Sequence, residues 1–517
     1  MDSSAAQQAP ESEHQQPDKW QRISPASVIY FALKFVVAIA QNAISAIAPV
    51  AAVVATAGEQ RWFILGLVAL ASGIVLLAGA VLSYLKFKFR IERDAILIRS
   101  GVFTRKRLTL SFDRIQNVAF REPIYFRPLN LVILTIESAG SSDEEVGLAG
   151  IPRALAEDIR RHVLAYKKIS KKAAQTREEV TPEVQETTET KDLLRQPVSE
   201  LVRYGLSNNN VWVFAGIAAG ALSQMDELWE TGFMQGLFSL VGETVGTGIV
   251  AIATFVIFMA LLALLLLMGA SVLGSIIVNY NYHLTYHDER YHRTRGLFER
   301  QETSIPEVKV QSLKIEQPII ARLLDRFHLT FKQVGFENHQ NTNRKQKFIV
   351  PSVQASFYKK LAAKLFDGTK VLEQPLKAIS DRFIFRHAIY TFGIPPVLIS
   401  IPWFLNGFLF GFIPLLFPLL ALPFIILRKR RYGYATDGEH AVVRSGFLGQ
   451  TLSVFPLFKV QTITITQSPG QRDAGLANLT VKLAGHSLSI PYMPIDDARA
   501  WRTAALRQME AADKPWM

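Results

Sequence analysis

Apolar residues in this chain gather into three blocks, and between the blocks hydrophobic and polar positions alternate. The first block holds a run near Val28–Thr56 and a second at Trp62–Tyr84, separated only by Ala57–Arg61. A hydrocarbon core roughly 30 Å thick needs about 20 apolar residues in a helix, so the two runs predict a transmembrane hairpin. The second block offers a short run around Val211–Leu222 and a long one at Thr247–Val278. The third offers Ala388–Leu405 and Phe408–Leu427, parted by Asn406–Gly407. Pro395, Pro396, Pro402, Pro414, Pro418 and Pro423 predict kinks there, which neighbouring helices can tolerate by satisfying the freed carbonyls. The pattern predicts six spans in three hairpins.

After each block the period falls to two. "FKFRIERDAILIRSGVFTRKRLTLSF" alternates apolar and charged residues, breaks at a glycine and alternates again, which is the signature of paired strands. The same skeleton recurs: Arg99-Ser-Gly-Val-Phe103, Thr294-Arg-Gly-Leu-Phe298 and Arg444-Ser-Gly-Phe-Leu448. Then come Asp113-Arg-Ile-Gln-Asn117, Val308-Lys-Val-Gln-Ser312 and Phe458-Lys-Val-Gln-Thr462, and finally a strand ending at Gly140, Gly335 or Gly485. Gly101 to Gln116, Gly296 to Gln311 and Gly446 to Gln461 are each 15 apart, and each glutamine lies 24 before its later glycine. Gap-free agreement at two spacings marks an internal repeat. The glycines and glutamines are read as turn and core positions, the first glycines because a tight turn there needs positive φ. Each unit ends at a proline, Pro152, Pro351 or Pro494, followed by a helical pattern. The fold class predicted is an α+β membrane protein, each hairpin followed by a small β-sandwich or barrel capped by a C-terminal helix.

The layout that follows is a disordered tail (1–26), hairpin one (27–84), domain one (85–167), a charged flexible linker (168–195), hairpin two (196–279), domain two (280–367), hairpin three (368–427) and domain three (428–513). "QPVSELVRYG" from Gln196 and "QPLKAISDRF" from Gln374 each suggest an amphipathic interfacial helix ahead of a hairpin.

Charge sets the orientation. Lys86, Lys88, Arg90 and Arg93 follow span two, and Arg428, Lys429, Arg430 and Arg431 follow span six, whereas the loop with Asp226, Glu227, Glu230 and Glu243 has no Lys or Arg. The positive-inside rule therefore puts both termini and all three domains in the cytoplasm. The net charge of +13 flanks apolar runs instead of spreading evenly, which favours an anionic inner leaflet over nucleic acid as partner. Lys86, Lys88 and Arg90, with Arg105, Lys106 and Arg107 on the next turn, and Arg428–Arg431 are the candidate lipid contacts. With no cysteine, disulfides, thiol catalysis and Cys-ligated metal are excluded. His283, His287 and His292 are too spread along a strand to share an ion. Phosphate loops, nucleophile elbows and zinc-protease helices are absent, so no catalytic residue, cofactor or metal is expected.

These motifs, placed directly after a hairpin, resemble the bacterial pleckstrin-homology domain family, and the threefold arrangement resembles its YdbT-like membrane proteins. The resemblance implies a seven-stranded sandwich capped by a helix. It implies no catalytic residue and no ligand. It also implies a smaller single-domain relative, YdbS-like, as a partner, with self-association a further option. The leading expectation is a non-enzymatic scaffold in a membrane complex. The alternatives are transport or export, resistance to membrane-active peptides, and sensing of anionic lipids.

Overall fold

The structure, a computed structural model, describes residues 20–41, 60–102, 104–138, 146–175, 190–208, 249–333, 347–406 and 413–511, with the single residues 216 and 239. They fall into two compact units: unit 1, Met1–Thr187 with Glu299–Glu302, and unit 2, Thr188–Phe298 with Thr303–Met517.

Unit 1 begins with helices α1 (Ser27–Gln41) and α2 (Arg61–Lys86). After one residue, α2 gives way to strand β1 (Lys88–Ile91), whose alternation buries Phe89 and turns Lys88 and Arg90 outward. β2 (Ala95–Ser100) and β3 (Lys106–Ser111) complete a three-stranded antiparallel sheet. Gly101 turns the chain between them at φ 102°, and a Cβ there would lie 1.9 Å from the Thr104 carbonyl oxygen. β4 (Ile115–Pro123), β5 (Leu131–Ser138) and β6 (Val146–Pro152) form a second sheet, and residues 299–302 pair with the far side of β4. The core between the sheets holds Phe89, Ile96, Leu110, Phe112, Leu134 and Ile151, closed by Ile159 and Val163 of helix α3 (Arg153–Gln175).

Two expectations change here. Residues 20–26, assigned to the tail, are packed: Ile23 lies in the core and Gln21 bridges Phe89. The linker is also shorter than 168–195, because α3 continues to Gln175 on the strong helix formers "KKAAQ", and Lys191–Arg195 forms strand β7.

Unit 2 continues with α4 (Val198–Ser207), α5 (Ile249–Asn279), β8 (His283–His287), β9 (Arg290–Arg295), β10 (Glu299–Pro306), β11 (Val310–Gln317), β12 (Phe327–Gln333), β13 (Phe348–Val353) and α6 (Ala355–Leu365). Residues 299–302 of β10 are those that pack with unit 1. Next come β14 (Lys377–Ala378), α7 (Ile394–Leu405), α8 (Ile413–Arg431), β15 (Gly433–Thr436), β16 (His440–Ser445), β17 (Gln450–Pro456), β18 (Val460–Thr466), β19 (Leu476–Leu483), β20 (His486–Pro494) and α9 (Ile495–Ala511).

The second and third domains are not separate sandwiches. One seven-stranded sheet runs β13-β12-β11-β17-β16-β15-β14, with β11 of the second repeat hydrogen-bonded to β17 of the third. Pairing gives each strand's exposed N–H and C=O groups a partner along its open side. Val442 and Val454 of the third repeat thereby enter the core of the second.

Each repeat supplies six strands of its own. The seventh that the resemblance implies comes from the segment ahead of the apolar pair: β7 adds to β8, and β14 adds to β15. The Gln374 segment is therefore a strand followed by a helix from Arg382, not one amphipathic helix from its start.

Among the described residues, three helical stretches are long and apolar enough to cross a membrane: Trp62–Lys86, Ala253–Asn279 and Arg382–Leu405. The run at Val211–Leu222 lies outside the described residues apart from residue 216, as does most of Val28–Thr56 beyond Gln41.

Candidate functional site

The three repeats share a latch. Their last strands kink at a residue with positive φ: Gly150 at 76°, Ser352 at 45° and Tyr492 at 51°. The carbonyl at each kink accepts a hydrogen bond from the segment that precedes the apolar pair of the same repeat. Ser24 N–H donates to Gly150 O at 3.0 Å, Gln196 Nε2 to Ser352 O at 2.8 Å, and Ser380 N–H to Tyr492 O at 3.1 Å. Each apolar pair is thus tied at both ends to its own domain, since the chain leaving it begins that domain's first strand.

In the second repeat the latch is polar and partly buried. Arg326 grips Glu200 of α4 with two N–H groups, Nε at 2.9 Å and Nη2 at 3.1 Å, and Ser352 Oγ donates to Glu200 at 2.6 Å. Burial alone would raise the Glu200 pKa, but the hydrogen bonds from Arg326 and Ser352 outweigh it and hold the carboxylate below its ordinary range. Tyr204 stacks edge-on against His328, ring centres 4.7 Å apart. Gly205 lets α4 lie on α5, where Ser271 and Ser275 donate to the Gly205 and Leu201 carbonyls at 2.9 and 3.0 Å.

Serine, histidine and glutamate so close together invite comparison with a nucleophile and its base, and the hydrogen bonds argue against it. His328 Nδ1 accepts the Ser352 N–H at 3.3 Å, so Nε2 carries the proton and donates to Ser207 Oγ at 2.8 Å. Ser207 in turn donates to the Tyr204 carbonyl. A histidine that already gives its proton to the serine cannot take one from it.

Burial lowers the His328 pKa from 6.5 to about 4, so the folded protein holds it neutral. A depressed pKa gives stability that is complete above pH 6.5 and lost as the pH falls toward 4. The loss is about 3 kcal/mol over that window, at 1.36 kcal/mol per unit. The third repeat has Asn478 at this position, where Oδ1 accepts the Tyr492 N–H at 3.1 Å. His328→Asn is expected to leave stability at pH 7.5 nearly unchanged and to flatten its decline toward pH 4, as read from unfolding midpoints across that range.

The first repeat differs by carrying a basic face. Lys88 pairs with Arg99, and Arg99 with Arg107, so three cations stand in register across β1, β2 and β3. Trp20 covers part of this face, its ring 4.0 Å from the Arg99 guanidinium carbon and 5.7 Å from that of Arg90, which is also ion-paired with Glu92. Like charges directly opposite one another are destabilising. The second repeat has His283, Thr294 and Glu302 at the equivalent places and the third has Gly433, Arg444 and Leu452, so the row belongs to the first alone.

The other expected contacts are scattered. Lys86, Arg105 and Lys106 are exposed, as are Arg428 and Arg430. Lys429 is bound to Asp381 at 2.5 Å, and the Arg430 and Arg431 carbonyls accept from Arg444. Gly101, Gly296, Gly446 and Gly485 all have positive φ, while Gly140 and Gly335 lie outside the described residues. The three repeat glutamines mark a shared β-bulge, at Gln116, Gln311 and Gln461. Gln311 is buried as expected of a core position, but Gln461 is exposed because β18 is paired on one side only.

Four residues that matter were missed from sequence. Arg99 sits inside the repeat motif and was not among the basic residues singled out. Glu200 and His328 become legible only when the segment before the apolar pair is seen to dock. Arg293 replaces the core residues Ile98 and Val443 of the other repeats. It is fully buried over the Phe348 ring and donates to the Lys347 carbonyl, and burial lowers its pKa to about 9. No group of three potential metal ligands exists among the described residues.

The bacterial PH domain family matches this chain three times, at residues 37–167, 240–362 and 394–509. The chain belongs to the bacterial PH domain family. Its three family domains coincide with the three repeats, and each match begins ahead of the strands and takes in apolar sequence that precedes them. A relative, the UPF0699 transmembrane protein YdbT of Bacillus subtilis (strain 168), is 25% identical over 440 residues, covering 81% of this chain and 84% of its own. No solved structure matches. The latch, the bulge glutamine and the turn glycine are therefore features of three bacterial PH domains within one chain, and the basic face and the Glu200–Arg326 pair are where those domains diverge.

Proposed function

We propose that this protein is a non-enzymatic scaffold of the bacterial cytoplasmic membrane, with six spans in three hairpins and three bacterial PH domains on the cytoplasmic side. The observation that carries the reading is the repeated latch. Tying both ends of each apolar pair to its domain fixes the domain's height and orientation at the membrane, as a platform needs and a loose tether does not. Sheet continuity between the second and third domains adds rigidity. Its partners would be inner-leaflet lipids and a smaller single-domain member of the same family. Tethered contacts that are individually weak sum when several act together.

Topology tests this directly, because the chain contributes no cysteine of its own. Asp226→Cys should react with a membrane-impermeant maleimide on intact cells, and Arg499→Cys only after lysis. Reaction of Arg499→Cys in intact cells would overturn the orientation. Recovery of the protein from native membranes without any stoichiometric protein would count against the scaffold.

A second reading rests on the Lys88–Arg99–Arg107 row. Three aligned cations beside the end of an apolar helix suit an anionic headgroup, at about 1 kcal/mol per basic residue near such a surface. Arg99→Gln would then lower the anionic lipid retained on purification.

A further inference from the structure

β18 breaks the pattern set by its counterparts. In unit 1, β4 is covered along its free side by residues 299–302, and in unit 2, β11 is covered by β17. Among the described residues β18 pairs on one side only, with β19, at the head of the sheet β18-β19-β20. Gln461, Thr462, Thr464 and Thr466 are exposed, whereas the equivalent Gln311 and Ser312 of β11 are fully buried. Open edges in natural sheets are usually blunted by charge or proline. "VQTITIT" has neither and is rich in β-branched residues.

The matching half of the junction lies at the other end of the chain. β3 occupies the place that β10 and β17 hold in later repeats, and it is the outer strand of β1-β2-β3, with Lys106, Arg107 and Thr109 exposed. The basic residue of the repeat motif completes the fit. Lys459 is buried and its Nζ donates to the Val308 and Val310 carbonyls of the preceding repeat, at 2.8 and 2.6 Å. Its counterpart in the first repeat, Arg114, is exposed.

We propose that β18 of one copy accepts β3 of a second copy, so that the chains assemble head to tail by the junction already used between their own repeats. The register follows from the two observed junctions. Counted from each repeat's turn glycine, Leu313 (17 on) meets Val454 (8 on), and Phe120 (19 on) meets Glu302 (6 on), offsets that total 25 in both. The same total places Ile463 opposite Thr109 and Thr466 opposite Lys106, so that residues 461–466 align with 111–106 without overhang. Arg114 then reaches the Phe458 and Val460 carbonyls, as Lys459 reaches their counterparts. Charge agrees as well. Arg153 at the start of α3 binds Glu302 at 2.9 Å, whereas across the open junction the acid is Asp496 near the start of α9, 92% exposed, and the base is Arg107 at the position of Glu302. Two different surfaces on one chain give rings or open arrays. A ring with its axis along the membrane normal rests on the membrane reading above.

The test uses full-length protein in native membranes. Thr109→Cys and Ile463→Cys are placed on separate, differently tagged copies, expressed together and oxidised. Directly opposed strand residues have Cα atoms about 4.5–5.5 Å apart, within disulfide reach. A product of twice the chain mass carrying both tags is expected, at least five-fold stronger than with Ile465→Cys in place of Ile463→Cys, and weakened by Arg114→Glu. No mixed product, although both cysteines react with maleimide, would overturn the proposal. A bridge that forms only inside a doubly substituted chain, without change of mass, would overturn it too. Membrane fractionation of the same samples reads the membrane assignment separately, so either idea can fail alone.

Discussion

Glu200→Ala is expected to lower the unfolding midpoint of the second repeat by the equivalent of about 2 kcal/mol, less than the cost of stranding one partner of a fully buried ion pair because both side chains keep some exposure. Arg326 would keep its charge at 15% side-chain exposure without the carboxylate it grips, and Ser352 Oγ would lose its acceptor. Removing both partners should cost less than the sum of the single changes, because Glu200→Ala combined with Arg326→Ala strands neither member of the pair and leaves only Arg203, 40% exposed, without its carboxylate. Glu200→Gln keeps an acceptor for Ser352 and should fall between wild type and Glu200→Ala. Pulse proteolysis in detergent micelles, read at sites in α4, checks all four. A loss in the double variant equal to the sum of the two single losses would show that the pair is not coupled.

Gly205→Leu should be at least as severe for a different reason. A Cβ at this position would lie 2.6 Å from the Val272 Cα and 2.9 Å from the Ser275 Cβ, so nothing flexible can move aside. Overpacking of this kind costs about 3 kcal/mol. The expected result is release of α4 from α5, seen as cleavage between Val198 and Ser207 under conditions that leave wild type intact. Gly216→Leu serves as the control, since its Cβ would meet nothing within 4 Å. If Gly205→Leu resists cleavage as wild type does, the close approach is not what seats α4.

Much of the fold could be read from sequence because its signals are local. The turn glycines need positive φ and the strands alternate, so Gly101, Gly296 and Gly446 announced three β-units at fixed spacing. What could not be read is what those units do to one another. Composition points the wrong way: "VQTITIT" carries no charge and "VQSLKIEQ" in β11 carries Lys314 and Glu316, yet the first is exposed and the second is covered by β17. Covering depends on a strand 130 residues or more away in the chain, as between Leu313 and Val454. The latch was hidden for the same reason. Gln196 looked like the start of an amphipathic helix, and its partners Pro351 and Ser352 lie 155 and 156 residues downstream. The basic residues show the converse. Basic clusters beside the apolar runs picked out Lys88 and Arg107 by composition, but only register reveals that Arg99 stands between them.

Strand β7 has a consequence for how the protein is made. Lys191 is paired with Tyr286, so the ribosome delivers this strand 95 residues before its partner. Between the two come both halves of the second apolar segment. During synthesis β7 and α4 therefore wait with open hydrogen-bonding groups and a bare apolar face, and neither β12 nor β13 yet exists to receive Glu200. Domain closure can follow only after the intervening segment has been made. The order of the chain thus makes the finished domain a report that the apolar pair between its first two strands is complete, and gives quality-control proteases an exposed strand to recognise when it is not.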